Sequence, residues 1–138
     1  MVSIPFSSLP LDHGFLKNLD SLGYSDMTEI QAKSLPDILS GKDVLGQAKT
    51  GSGKTAAYAI GLLNKIEVGV YQVQSLVICP TRELADQVTT EIRRIARASP
   101  NIKILTLCGG KPMGPQLASL EHSPHIVVGT PGRLLKLL

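Results

Sequence analysis

The sequence predicts an α/β fold, a parallel β-sheet flanked by helices, and three observations carry that prediction. Short apolar runs at residues 43–48, 75–79, 102–108 and 125–129 each end on a turn or helix signal. They are apolar along their length instead of alternating, as strands covered on both faces are. Between them lie stretches whose apolar residues recur every three or four positions, and strand, crossover helix, strand is the grammar of a right-handed parallel sheet.

Taken in order, residues 11–22 place Phe15, Leu16, Leu19 and Leu22 on one helical stripe, closed by Gly23. A second helix spans residues 28–39 and ends at Gly41. The run at 43–48 is the first strand, followed by a glycine-rich loop and a helix through Ala56, Ala57, Ile60, Leu62, Leu63 and Ile66. After the strand at 75–79, Leu84, Val88, Ile92 and Ile95 mark a helix whose Arg82, Glu91, Arg93 and Arg94 carry charge. Strands at 102–108 and 125–129 complete the pattern. In such sheets ligands gather at the carboxyl ends of the strands, which here means residues 48–55, 80–83, 109–111 and 130–133.

Composition narrows the function classes. At 138 residues, 43% hydrophobic and 18% charged, the chain is too apolar for a disordered tail and suits one domain with a sizeable core. No run approaches the roughly 18 apolar residues of a membrane span, and the first twenty residues lack the plan of a secretory signal. Cys79 and Cys108 sit inside apolar runs without zinc-site spacing, so they read as reduced core residues of a cytoplasmic protein. The net charge of +3 and pI of about 9.0 make a nucleic-acid partner worth testing without deciding it.

The octet Ala48, Lys49, Thr50, Gly51, Ser52, Gly53, Lys54, Thr55 carries the sharpest chemistry. It is a P-loop, G-x-x-x-x-G-K-[ST], with alanine in the first position. Gly51 and Gly53 let successive N–H groups turn inward on an anion, and the helix beginning near Gly53 adds its positive end. Lys54 reaches the β and γ phosphates, and Thr55 offers a hydroxyl to Mg²⁺. A lysine at a helix amino end is opposed by the dipole unless an anion is expected there.

Other positions admit two readings. Thr28 and Gln31 have capping-box form, yet a glutamine amide can also pair with the N6 and N7 edge of adenine. Thr81 and Thr130 are placed to cap helices, Gly109 and Gly110 allow close backbone approach, and the arginine forks of Arg82 and Arg133 match phosphate oxygens. Each has a bland counterpart: a turn, a helix start or a surface charge.

Together these motifs resemble the start of a DEAD-box ATP-dependent RNA helicase: a Q motif from Gly23 through Tyr24 to Gln31, motif I at 48–55, motif Ia from Pro80 to Ala85, the Gly109 and Gly110 pair, and motif Ib from Thr130 to Arg133. Alanine at the head of motif I is the family's usual choice. The wording AKTGSGKTAA, CPTRELADQV and KILTLCGG is similar to the DbpA type, bacterial helicases associated with 23S ribosomal RNA. Met27 and Glu29 depart from prolines common in the Q motif. The resemblance implies a truncated RecA-like P-loop NTPase domain, with Q-motif helices at 1–40 and a partial domain at 41–138. It also implies ATP or ADP with Mg²⁺, bound by Phe6 and Tyr24 near the base, Thr28 and Gln31 on adenine, and the loop 48–55, with Lys54 and Thr55 serving catalysis. RNA would meet Pro80, Thr81, Arg82, Gly109, Gly110, Thr130 and Arg133; Phe6 could equally be an apolar tack for the terminus. The Asp-Glu-Ala-Asp box and a second RecA-like domain with arginine fingers are expected outside this sequence, leaving this segment alone inactive in hydrolysis and its sheet edges uncovered. A standalone P-loop nucleotide binder, or a small RNA-binding module, is the alternative.

Overall fold

The computed structural model describes residues 3–137. The helices and strands run α1 (His13–Ser21), α2 (Glu29–Leu39), α3 (Lys54–Lys65), β1 (Ser75–Ile78), α4 (Arg82–Ile95), β2 (Ile104–Leu107), α5 (Met113–Glu121), β3 (Ile126–Gly129) and α6 (Pro131–Leu137), with 3₁₀ turns at Phe6–Ser8 and Ala96–Ala98. They form two compact units, one reaching to Lys65 and including Arg94–Ala98, the other holding Ile66–Arg93 and the residues from Ser99 onward.

The first unit is helical. The Asp12 carboxylate caps α1 by accepting the Phe15 N–H at 2.8 Å, and Gly23, at φ 90°, turns the chain away beyond its end. Phe15 and Leu19 are the buried members of the α1 stripe; Leu16 and Leu22 lie half-buried at its margin. α2 opens with the expected capping box between Thr28 and Gln31, and Gly41, at φ 88°, follows its end. Where α2 meets α3, Gly61 faces Ile38 so closely that no Cβ would fit without moving it. The absent side chain lets the two helices approach.

One expected strand is not formed. Residues 43–48 have no regular structure and no sheet partner; Leu45 is fully exposed and Val44 41% exposed. A strand exists only where a neighbour takes its N–H and C=O groups, and an apolar run cannot encode that neighbour by itself.

The second unit holds a parallel three-stranded sheet in the order β1-β3-β2. Ile78, Gly129 and Leu107 are level across it, so the strands end together and Cys79, Thr130 and Cys108 are the next residues of each. Gly129 belongs in this central strand because a Cβ there would lie 2.7 Å from the Leu107 carbonyl oxygen and 2.8 Å from Leu134 Cδ2. β3 is buried throughout, as expected of a covered strand, whereas β1 alternates and leaves Leu76 54% and Ile78 60% exposed. The coverage inferred for every strand therefore fails on one face of β1.

α4 buries Ala85, Val88, Ile92 and Ile95; Leu84, placed by sequence on that stripe, is 37% exposed and Ala85 takes its place. An i, i+4 count does not distinguish these neighbours, which share a first turn that Thr81 caps, its Oγ1 accepting the Leu84 N–H at 3.2 Å. Thr89 Oγ1 donates to the Ala85 carbonyl at 2.8 Å and lies 2.8 Å from Thr106 Oγ1, so the same hydroxyl also joins α4 to β2. At the entry to β3, the fully buried His125 accepts the Lys103 N–H at Nδ1 (3.0 Å). Its proton is therefore on Nε2, which donates to the Val68 carbonyl at 2.9 Å.

Candidate functional site

The glycine loop lies wholly in the first unit. Ser52 N–H donates to the Lys49 carbonyl at 3.2 Å, and Gly51 and Gly53 take φ 81° and 93°, values that L side chains rarely adopt. α3 starts directly at Lys54, with Thr55 second. The loop's chemistry is unbalanced in a way that points to an anion. Ser52 Oγ is, among the described residues, a buried side-chain oxygen with no hydrogen-bond partner, a condition worth about 1–3 kcal/mol of destabilisation. The Lys54 ammonium folds back on the loop's own Ala48 carbonyl. A phosphate seated here would meet an unpaired hydroxyl, an ammonium and the amino end of a 12-residue helix.

Thr28 and Gln31 reach the same loop. Gln31 is 2% exposed; its Oε1 accepts the Thr28 N–H at 2.9 Å and its Nε2 donates to the Gly53 carbonyl at 3.1 Å. A Cβ on Gly53 would collide with the Gln31 amide and approach Thr28 Oγ1 to 3.0 Å, so the loop and the start of α2 touch through a glycine. The capping arrangement is thus realised, and these two bonds use one donor and one lone pair of the amide. Phe6 is 2% exposed, set edge-on to half-buried Tyr24 with ring centroids 5.8 Å apart. Backbone bonds from Phe6 N–H to the Ser25 carbonyl and from Met27 N–H to the Ile4 carbonyl hold that segment down, which is the anchoring arrangement.

A second cluster forms at the strand ends of the second unit. Exposed Pro80 and Thr81 follow β1; Arg82 Nη1 reaches the Gly109 carbonyl at 3.5 Å, and Gly110 turns at φ 81°. Thr130, 8% exposed, donates its N–H to the Leu107 carbonyl and accepts the Leu134 N–H at 3.0 Å. Arg133 Nη1 donates to the Lys111 carbonyl and to Gln116 Oε1, each at 3.0 Å. The Cys108 thiol registers this convergence: burial first and Asp86 second push its pKa up, while Lys111, Arg82 and Arg133 pull it down. Burial, with Cys108 as a lesser contributor, raises the Cys79 thiol. Both cysteines are buried and reduced. Sequence reasoning missed Gln116, because a lone glutamine in a short helix carries no local signal of what it will meet.

Against known proteins, residues 28–138 match the family of DEAD/DEAH box helicases. The chain belongs to that family. As a DEAD/DEAH box helicase sequence it is 65% identical over 120 residues to the ATP-dependent RNA helicase DbpA of Escherichia coli K12, an overlap of 87% of this chain and 26% of that protein. It is 44% identical over 134 residues to the DEAD-box ATP-dependent RNA helicase CshA of Bacillus subtilis 168, covering 97% of this chain and 27% of the relative. This helicase-family chain therefore spans about a quarter of the curated relatives it matches. Its fold superposes on the crystal structure of a DEAD box protein from Methanococcus jannaschii with a TM-score of 0.89 at 38% identity, covering 98% of this chain and 37% of that one. Among the described residues no helix is long and apolar enough to cross a membrane.

Proposed function

We propose that this chain is the nucleotide-binding portion of an ATP-dependent RNA helicase, a partial first RecA-like domain with the Q motif before it. On this reading the first unit binds ATP or ADP with Mg²⁺, and the second offers contacts to an RNA backbone. The observation that carries the nucleotide half is the partnerless Ser52 hydroxyl buried in a loop whose glycines already hold positive φ. Lys54 would exchange the Ala48 carbonyl for β and γ phosphate oxygens. Thr55 would hold Mg²⁺, which when bound neutralises the charge that builds on the phosphates. Gln31 would meet adenine with its remaining donor and lone pair, and Tyr24 and Phe6 would flank the base side of the site.

For RNA, Arg82 and Arg133 would fork onto phosphates, while Gly109, Gly110, Pro80, Thr81 and Thr130 shape the backbone they approach. Such contacts favour geometry over base sequence, so a preference for 23S ribosomal RNA would arise elsewhere in a parent protein. That parent, acting in the cytoplasm with a second RecA-like domain, would hydrolyse ATP and remodel RNA.

Fluorescent-nucleotide titration tests the first half. ADP is expected to bind in preference to GDP, and Lys54→Ala to abolish binding while far-UV circular dichroism stays unchanged. Equal affinity for the two nucleotides would overturn adenine reading by Gln31; unaltered affinity in Lys54→Ala would overturn the phosphate site. For the second half, single-stranded RNA should bind weakly, with a salt slope of roughly 0.7 per phosphate contacted.

A further inference from the structure

We propose that Gln116 is a positioning residue for RNA, tying the Gly109 and Gly110 turn to the Arg133 guanidinium so that both meet a phosphate backbone as one rigid surface. The inference rests on the RNA reading of Arg133 given above and deepens it.

Gln116 is 7% exposed in α5, a short helix otherwise lacking buried positions among the residues assigned to it. Its two amide ends are used in opposite senses. Nε2 donates to the Cys108 carbonyl at 3.1 Å, directly before the glycine pair, and Oε1 accepts from Arg133 Nη1 at 3.0 Å. Arg133 Nη1 also holds the Lys111 carbonyl, directly after that pair. The turn is thus gripped on both sides, by Gln116 before it and Arg133 after it, and Gln116 joins the two grips.

Left alone, two adjacent glycines have the widest backbone freedom of any dipeptide, and an arginine on a single hydrogen bond keeps most of its rotamers. Ordering both before RNA arrives removes that cost from binding. The choice of a neutral amide fits the same purpose. A carboxylate at this position would pair with Arg133 and cancel the charge a phosphate needs, whereas glutamine orients the guanidinium and leaves the charge intact. The bonds described use Nη1 alone, so Nη2 and Nε remain to fork onto phosphate oxygens.

The test measures binding of a labelled single-stranded oligouridylate to the full chain across a salt series, for wild type, Gln116→Met, Arg133→Ala and the double variant. Gln116→Met keeps the side-chain volume and removes both hydrogen bonds. It is expected to weaken RNA binding about tenfold, to lower the salt slope by roughly 0.7, and to make the Arg133→Ala substitution nearly silent in the double variant. ADP affinity, which depends on the first unit, should not change. Wild-type affinity and slope in Gln116→Met beside a weakened Arg133→Ala, or additive losses in the double variant, would overturn the positioning role while leaving Arg133 in the RNA site. No loss in Arg133→Ala would instead overturn the RNA reading itself, and this proposal with it. Should circular dichroism show Gln116→Met unfolded, Gln116→Asn, which keeps the amide but cannot span both partners, is read by the same criteria.

Discussion

Gln31 illustrates how one side chain can serve local and distant chemistry together. Its capping bond to Thr28 follows from a spacing visible in the sequence, but its bond to the Gly53 carbonyl depends on α2 and the glycine loop meeting in space. His125 is a harder case. It sits in a run that sequence reads simply as strand, and its two part-buried bonds to Lys103 and Val68 become visible only in the folded chain. Replacing it removes both part-buried bonds and empties the site of a fully buried ring, so His125→Ala should cost about 2–4 kcal/mol in a urea titration. A loss below about 0.5 kcal/mol would show that water replaces the ring without penalty. The thiols make a pH prediction. Burial raises Cys79 and Cys108 above the ordinary value of about 8.5, so both states are protonated below that pH and stability is unaffected by them. Above it the unfolded chain ionises first, and stability should fall as pH climbs towards the folded values. Cys79→Ala measured at neutral and alkaline pH should show a shallower fall than wild type.

At the scale of elements, caps and backbone-driven motifs were legible, because their signal lies within a few residues of where it acts. Thr28 with Gln31, Thr81 before α4, Gly23 and Gly41 after their helices, and the positive φ of Gly51 and Gly53 all follow from short spacings. Residues 43–48 were misread because pairing, not apolarity, makes a strand. Leu84 was misplaced by one position because a helical stripe has width, and only packing against the sheet decides its centre. Gly61 was unreadable, since nothing local distinguishes a helix glycine that admits a neighbour from one that is merely tolerated. Here two effects compete. Alanine raises helix propensity by about 1 kcal/mol, while overpacking against Ile38 costs about 1–3 kcal/mol. Gly61→Ala should therefore lower the urea midpoint, and the larger Gly61→Val should lower it further; a rise with alanine would show that Ile38 swings aside freely.

For the whole molecule, the α/β class was legible from the alternation of apolar runs with helical periods, and three of the expected strands lie where those runs fall. The division of the described residues into two compact units was not, since composition is even along the chain and no linker marks a boundary. The same division separates two chemistries, with the glycine loop in one unit and the strand-end arginines in the other. Limited proteolysis should thus cut first between residues 42 and 50, where backbone without secondary structure carries the exposed Val44 and Leu45; first cuts inside α3 or β3 would contradict the structure. The strand order carries a consequence for assembly in time. β1 and β2 never bond to each other; each bonds to β3, the last of the three to be synthesised. On a ribosome, no ladder of this sheet can close until residue 129 has emerged. Until then Ile78 and Leu107 are loose ends awaiting one late strand, and both non-local ladders depend on the arrival of the same segment.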